Sequence, residues 1–208
     1  MPGLEEFEMK QNPGRFPKDF NRCINFHGHV CPGLAIGYRA ARAGMDWLRE
    51  KRAKDEEWIA SVETDACGVD AIQVLTGCTF GKGNLIYRDY GKHVFIMASR
   101  SSGKGIRIAL KAGALELSKR HRQLMEKLKK AKATDREREE FAQLHRQKTL
   151  EILTKPLSDL LILRPANVPL PPKARIEPSR PCGCCGEPTM PSKLRKIDAK
   201  EICHECLE

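Results

Sequence analysis

Six prolines between residues 165 and 181 decide how this 208-residue chain can be organised. Proline fixes its own φ and lacks an amide hydrogen, so a run this dense is neither helix nor inner strand and reads as an extended linker. The chain therefore divides into a core over 1–164, a linker over 165–180 and a tail over 181–208. A tail of that size cannot bury a sufficient apolar core, so something other than packing must fold it. Its sequence supplies the means: Cys182-x2-Cys185 and Cys203-x2-Cys206 stand 17 residues apart. Two pairs at this spacing predict a zinc ribbon, with four thiolates closing a structural Zn²⁺ site. Cys184 and His204 lie inside the pairs as alternative donors. A pair of disulfides is the competing reading.

Composition narrows the rest. With 40% hydrophobic and 31% charged residues the chain has the makings of a globular core. No apolar run approaches the roughly 18 residues of a membrane span, so no membrane association is expected. The acidic start Met1-Pro2-Gly3-Leu4-Glu5-Glu6 lacks the apolar region of a secretory signal. A reducing, cytoplasmic setting is expected, in which nine cysteines serve metal or thiol chemistry. The net charge of +10 is concentrated in Lys119–Lys148, where eleven basic residues face five acidic ones. A basic stretch can bind nucleic acid through phosphates. Here the mixed signs, with Phe141 the sole aromatic, fit a solvated helical face.

The pattern of the core predicts a short helix over Phe16–Phe26 and a long one from Pro32 to Lys51, begun by a proline whose missing N–H costs nothing there. Gly33, Gly37, Ala41 and Gly44 form a small-residue stripe along it. Glycine weakens a helix by about 1 kcal/mol, so the stripe marks the close approach of another backbone. Ile59–Thr64 reads as a strand and Gly68–Thr76 as a helix stopped by Gly77. Leu85–Tyr87 and His93–Ala98 read as strands around the turn Asp89-Tyr90-Gly91-Lys92, and the alternation of Ile106, Ile108 and Leu110 as a third main strand. Leu115–Ala131 and Asp135–Leu153 read as an antiparallel helical hairpin with Leu117, Leu124, Leu128, Phe141, Leu144 and Leu150 inward. Thr134 and Glu137 offer a capping box, and a short helix near Leu157–Leu161 ends the core. The fold class is α+β.

Chemistry concentrates in two segments. Phe26-His27-Gly28-His29-Val30-Cys31-Pro32-Gly33 holds two imidazoles and a thiol just before a helix, and Asp65-Ala66-Cys67-Gly68-Val69-Asp70 repeats that placement. A helix N-terminus favours a thiolate, so Cys31 and Cys67 are candidate nucleophiles or soft-metal ligands. His29 is a candidate ligand or base and Asp70 an orienting carboxylate. His27, Cys78 and Lys82 are candidate cofactor contacts. The opposing reading makes the cysteines small buried hydrophobes, which suits Cys23. The Gly-rich loop Thr76–Asn84 is not a phosphate loop, because only three residues separate Gly77 from Gly81 and no Ser or Thr follows Lys82.

As a set, F-H-G-H-x-C-P-G at 26–33, C-G-V-D-A-I-Q at 67–73, T-G-C-T-x-G-K-G-N at 76–84, D-Y-G-K at 89–92 and the paired-cysteine tail resemble the E-subunit family of formylmethanofuran dehydrogenase. The resemblance covers roughly residues 16–163, and the tail is an accessory that only some members carry. It implies an α+β core with a mixed or antiparallel sheet flanked by helices, paired as a homodimer, and a pocket lined by His27, His29, Cys31, Cys67 and Cys78. It further implies a metal-binding accessory protein or small enzyme of one-carbon metabolism, associated with the subunits of molybdenum or tungsten enzymes. A second metal in the core pocket, beside the ribbon zinc, is part of that expectation. The alternative is a nucleic-acid- or protein-binding module built from the ribbon and the basic helices.

Overall fold

The computed structural model describes residues 16–174 and 177–208. The chain falls into two compact units, one ending at Pro172 and the other beginning at Lys173. In the first, α1 (Lys18–His27) and α2 (Pro32–Leu48) are joined at Gly28, whose left-handed φ of 91° lets its amide bond back to Ile24 and turns the chain. The two helices are pinned by Asp19, which accepts from the Tyr38 hydroxyl at 2.8 Å and the Arg42 guanidinium at 3.0 Å. Arg49, at φ 56°, ends α2 short of the expected Lys51.

After β1 (Trp58–Val62) the chain enters α3 (Gly68–Thr76), ended by Gly77 as its sequence predicts. It returns through β2 (Leu85–Tyr87), β3 (Val94–Ser99) and β4 (Gly105–Leu110). The sheet is mixed, in the order β2-β1-β3-β4, with a fifth strand, β5 (Leu161–Pro165), at the β4 edge. β2 and β3 do not form the hairpin that the intervening turn suggests. β1 lies between them, parallel to β2 through the α3 crossover and antiparallel to β3. The edge strand β5 follows the single helical turn α6 (Leu157–Leu160) and is absent from the sequence-based expectation. Pro165 ends that strand and so belongs to the core sheet; at an edge its missing amide breaks no ladder. The buried side chains Trp58, Phe95, Met97, Ile106 and Ile108 line one sheet face, against Leu34, Ile36 and Ile72 of the helices.

The glycine stripe does what its cost requires. A Cβ at Gly37 would stand 2.0 Å from the Gly68 carbonyl oxygen, and one at Gly44 would meet Met97 and Ile108. α2 thus presses on α3 along Gly33 and Gly37 and on the sheet at Gly44.

The helical hairpin consists of α4 (Lys119–Lys129) and α5 (Asp135–Thr154), the latter opened by the Thr134/Glu137 capping box. Of the leucines and phenylalanine expected inward, Leu124 is fully buried and the others are partly so. Arg39 of α2 donates to the carbonyls of Ile152 and Leu153, satisfying acceptors that the end of α5 leaves open. Much of the basic charge is neutralised locally, by Arg120–Glu140, Lys127–Glu137, Lys129–Glu126 and Lys148–Glu151. Between the helices His121 and His145 share a hydrogen bond of 2.7 Å, with Phe141 packed on both rings. Burial pushes His145 down to about 4, helped by His121 and His29, and lowers His121 as well, helped by Lys148. The helical spacing of His121 with Leu124, and of Phe141 with His145, was the signal for this pair.

Gly37→Ala should lower stability by about 3 kcal/mol, since the neighbour is backbone and cannot yield. Gly81→Ala, where a Cβ meets nothing within 4 Å, should be near neutral; chemical denaturation compares them. The histidine pair stays neutral in the fold while the unfolded chain takes protons near pH 6.5, so stability should fall as pH drops from about 6.5 to about 4. His145→Asn, which keeps an acceptor, should flatten that loss by about 2 kcal/mol in pH-dependent unfolding.

Candidate metal centre

Three elements converge where α2 and α3 begin. Cys31 is the N-cap of α2, in extended conformation, and its Sγ accepts the Leu34 amide at 3.3 Å. Cys67 holds the same place on α3, with Asp70 in the first turn. His27 is the last residue of α1. The His27 imidazole, the Cys31 thiol and the Cys67 thiol each present a donor atom, and all three lie within 4.8 Å of one another. Gly33 keeps the gap narrow: a Cβ there would lie 3.3 Å from the Cys67 Cβ.

Asp70 orients the imidazole. Its Oδ2 is 2.7 Å from His27 Nδ1, and its Oδ1 accepts from Gln73 at 3.4 Å. With the proton on Nδ1 the Nε2 lone pair faces Cys31 Sγ at 3.7 Å. A tetrahedral ion with bonds of about 2.3 Å to sulfur and about 2.05 Å to nitrogen separates such donors by about 3.6 Å. The two thiols and the imidazole therefore fit a soft or borderline divalent ion, and a fourth position stays open, as catalytic zinc sites require.

The electrostatics differ from the expectation drawn from the helix start. Burial pushes the Cys31 thiol up to about 12, with Cys67 adding to the rise, and the Leu34 and Gly33 amides offset only part of it. Desolvation outweighs the helix terminus here. A low-pKa free thiolate is thus not what the fold provides; a metal ion would supply the compensating charge.

The remaining candidates are placed elsewhere. His29 stacks on His27 with ring centroids 4.3 Å apart but is not one of the three converging donors. His27, not His29, is the imidazole that converges with the two thiols. Cys78 and Lys82 lie beyond Gly77, past the far end of α3. Cys78 is fully buried with its thiol raised by that burial, and Lys82 donates to the Asp55 carbonyl at 3.0 Å. Asn84 stitches the glycine loop by accepting from the Thr79 amide and donating to the Asp55 and Trp58 carbonyls. Cys23 is buried, donates to the Asp19 carbonyl and is pushed up to about 12 by burial.

In the second unit, β6 (Arg180–Pro181) pairs with β7 (Pro188–Thr189) and β8 (Leu194–Ile197) with β9 (Lys200–Cys203). Cys182, Cys185, Cys203 and Cys206 bring their sulfurs within 4.8 Å of one another, and the Cys185 and Cys203 sulfurs are 4.0 Å apart. Gly186, at φ 78°, closes the first knuckle. Amides of Cys203, Cys185 and Cys184 face the Cys182 sulfur and draw its pKa down to about 6. The neighbouring thiols of Cys203 and Cys185 raise Cys206. Four such sulfurs can share one ion, and Cys184 stands outside the four.

A family model described as "FmdE, Molybdenum formylmethanofuran dehydrogenase operon" matches residues 26–162. A probable S-adenosyl-L-methionine-binding protein of Archaeoglobus fulgidus is 34% identical over 110 residues, 51% of this chain. The chain spans 30% of the length of that relative. The crystal structure of an FmdE-like protein of the tungsten formylmethanofuran dehydrogenase type, from Syntrophus aciditrophicus, superposes with a TM-score of 0.55 at 22% identity. The match covers 90% of this chain and 89% of the other, a likeness of fold.

Proposed function

The chain belongs to the FmdE family, and we propose that it is a metal-binding protein with two centres of different purpose. The core centre is held by His27, Cys31 and Cys67. The tail holds a structural zinc on Cys182, Cys185, Cys203 and Cys206. The observation that carries the reading is the convergence of one imidazole and two thiols, with a carboxylate on the far nitrogen of the imidazole. A metal bound there supplies Lewis acidity and an open coordination position.

The residues divide the work. Cys31 and Cys67 surrender their protons when they ligate, so uptake of the ion is coupled to proton release and strengthens as pH rises. His27 presents Nε2, and Asp70 keeps the proton on Nδ1 and the ring in place. His29 packs against the His27 ring and is not a donor of the set. In the proposed division into core, linker and ribbon, the core folds by apolar burial and the ribbon by metal binding. The family's description supports an association with molybdenum formylmethanofuran dehydrogenase-type enzymes. On this reading the chain is a cytoplasmic homodimer that serves such an enzyme in one-carbon metabolism. No helix among the described residues is long and apolar enough to cross a membrane. The local neutralisation of the hairpin's charge supports a solvated face there in preference to nucleic-acid binding.

Titration of the metal-free chain with Co²⁺, read by its thiolate charge-transfer and visible bands, tests the proposal. Two ions per chain are expected. Cys31→Ser should remove one of them and Cys206→Ser the other, the latter leaving the tail open to protease. Asp70→Asn should weaken the core site by about tenfold or more. A single ion that Cys31→Ser leaves in place would refute the core centre.

A further inference from the structure

A cavity of about 610 Å³ opens beside the sheet, between the Lys92–Val94 segment that leads into β3 and the Leu110–Glu116 segment that leaves β4. That volume lies in the range of small-molecule sites. Its apolar lining comes from Val94, Leu110 and Leu115, its charged lining from Lys92, Lys111 and Glu116, and His93 adds an imidazole. Neither Lys92 nor Lys111 has a carboxylate partner among the described residues, in contrast to the paired cations of the hairpin. Lys92 stands 6.0 Å from the Tyr90 ring, a distant and weak contact. Gly113, at φ 75°, turns the chain, and the Glu116 carboxylate folds toward it, 3.9 Å from where a Cβ would be.

Two unneutralised ammonium groups, an imidazole and one carboxylate around an apolar lining leave the cavity net positive. We propose that it binds the anionic end of a small organic molecule, a carboxylate or phosphate whose apolar body rests on Val94, Leu110 and Leu115. Lysine is suited to this task as a point charge that tolerates either head group. The Lys92 amide donates to the Glu63 carbonyl at 2.8 Å, and the Glu63 amide to the Val94 carbonyl at 3.0 Å. Glu63 leads directly into the segment that carries Cys67. Phe95, next to Val94, packs against Gly68, where a Cβ would lie 3.1 Å from its ring. The cavity and the three metal donors are thus built from the same end of the sheet.

The test uses the full chain with inorganic phosphate and butyrate as separate probes, followed by amide chemical shifts at constant ionic strength. Saturable shifts at Lys92–Val94 and Lys111–Glu116 are expected at millimolar concentration. Phosphate alone would identify a phosphate ligand, and butyrate alone a carboxylate. Lys92→Gln combined with Lys111→Gln should weaken binding by about tenfold or more, while Lys119→Gln should leave it unchanged. No saturable shift with either probe, or binding that the double variant leaves intact, would overturn the proposal. The measurement needs no metal, so its failure and that of the core metal centre are separate results.

Discussion

The contact of α2 with α3 at Gly37 and Gly68 is the constraint on which the rest of the core depends. A Cβ at Gly37 would lie 2.0 Å from the Gly68 carbonyl oxygen, so that position admits glycine alone, and one at Gly68 would stand 3.1–3.2 Å from Gly33, Phe95 and Gly37, tight enough that these neighbours would have to shift. Gly37, inside α2, weakens its helix by about 1 kcal/mol, and the return is a backbone approach that a side chain at that position would prevent. Because both helices begin at this crossing, their N-cap cysteines face each other across Gly33. α1 then needs only the turn at Gly28 to bring His27 beside them. The donor set is a consequence of backbone packing.

That geometry also explains why the chemistry points to a metal. Of the two thiols and the imidazole, Cys31 is buried and His27 and Cys67 are half-buried. Burial holds Cys31 protonated, and the helix amides are too few to reverse it. A divalent ion would reverse the balance, since thiolates then become the favoured form. The tail meets the opposite situation. There the amides of three residues already draw Cys182 toward the thiolate, so the knuckle is prepared for its ion before the ion arrives.

Local chemistry was the legible part of the sequence. Pro32 at a helix start, Gly77 at a helix stop and the Thr134/Glu137 box each state a rule of backbone hydrogen bonding that needs no tertiary context. The glycine stripe was readable for the same reason, as a cost that only close packing repays. Pairing was less legible. β2 and β3 flank a turn yet belong to opposite sides of β1, because the α3 crossover places β2 before β3 can reach it. β5 hid behind its terminal proline. In the site, Cys31, Cys67 and Asp70 were readable from their places at helix starts, whereas the choice of His27 over His29 depended on which ring the turn at Gly28 aims at Asp70. Cys78 stands beyond the Gly77 stop, at the far end of the helix that Cys67 begins, and is not one of the three converging donors.

X-ray absorption at the zinc edge on the fully loaded chain tests the central claim most directly. With both centres filled, one with four sulfurs and one with two sulfurs and a nitrogen, the average zinc should show about three sulfurs at about 2.3 Å with a nitrogen shell near 2.0–2.1 Å. A sulfur-only shell of four, with no imidazole scattering, would mean that the tail alone holds metal and that His27, Cys31 and Cys67 meet only to pack.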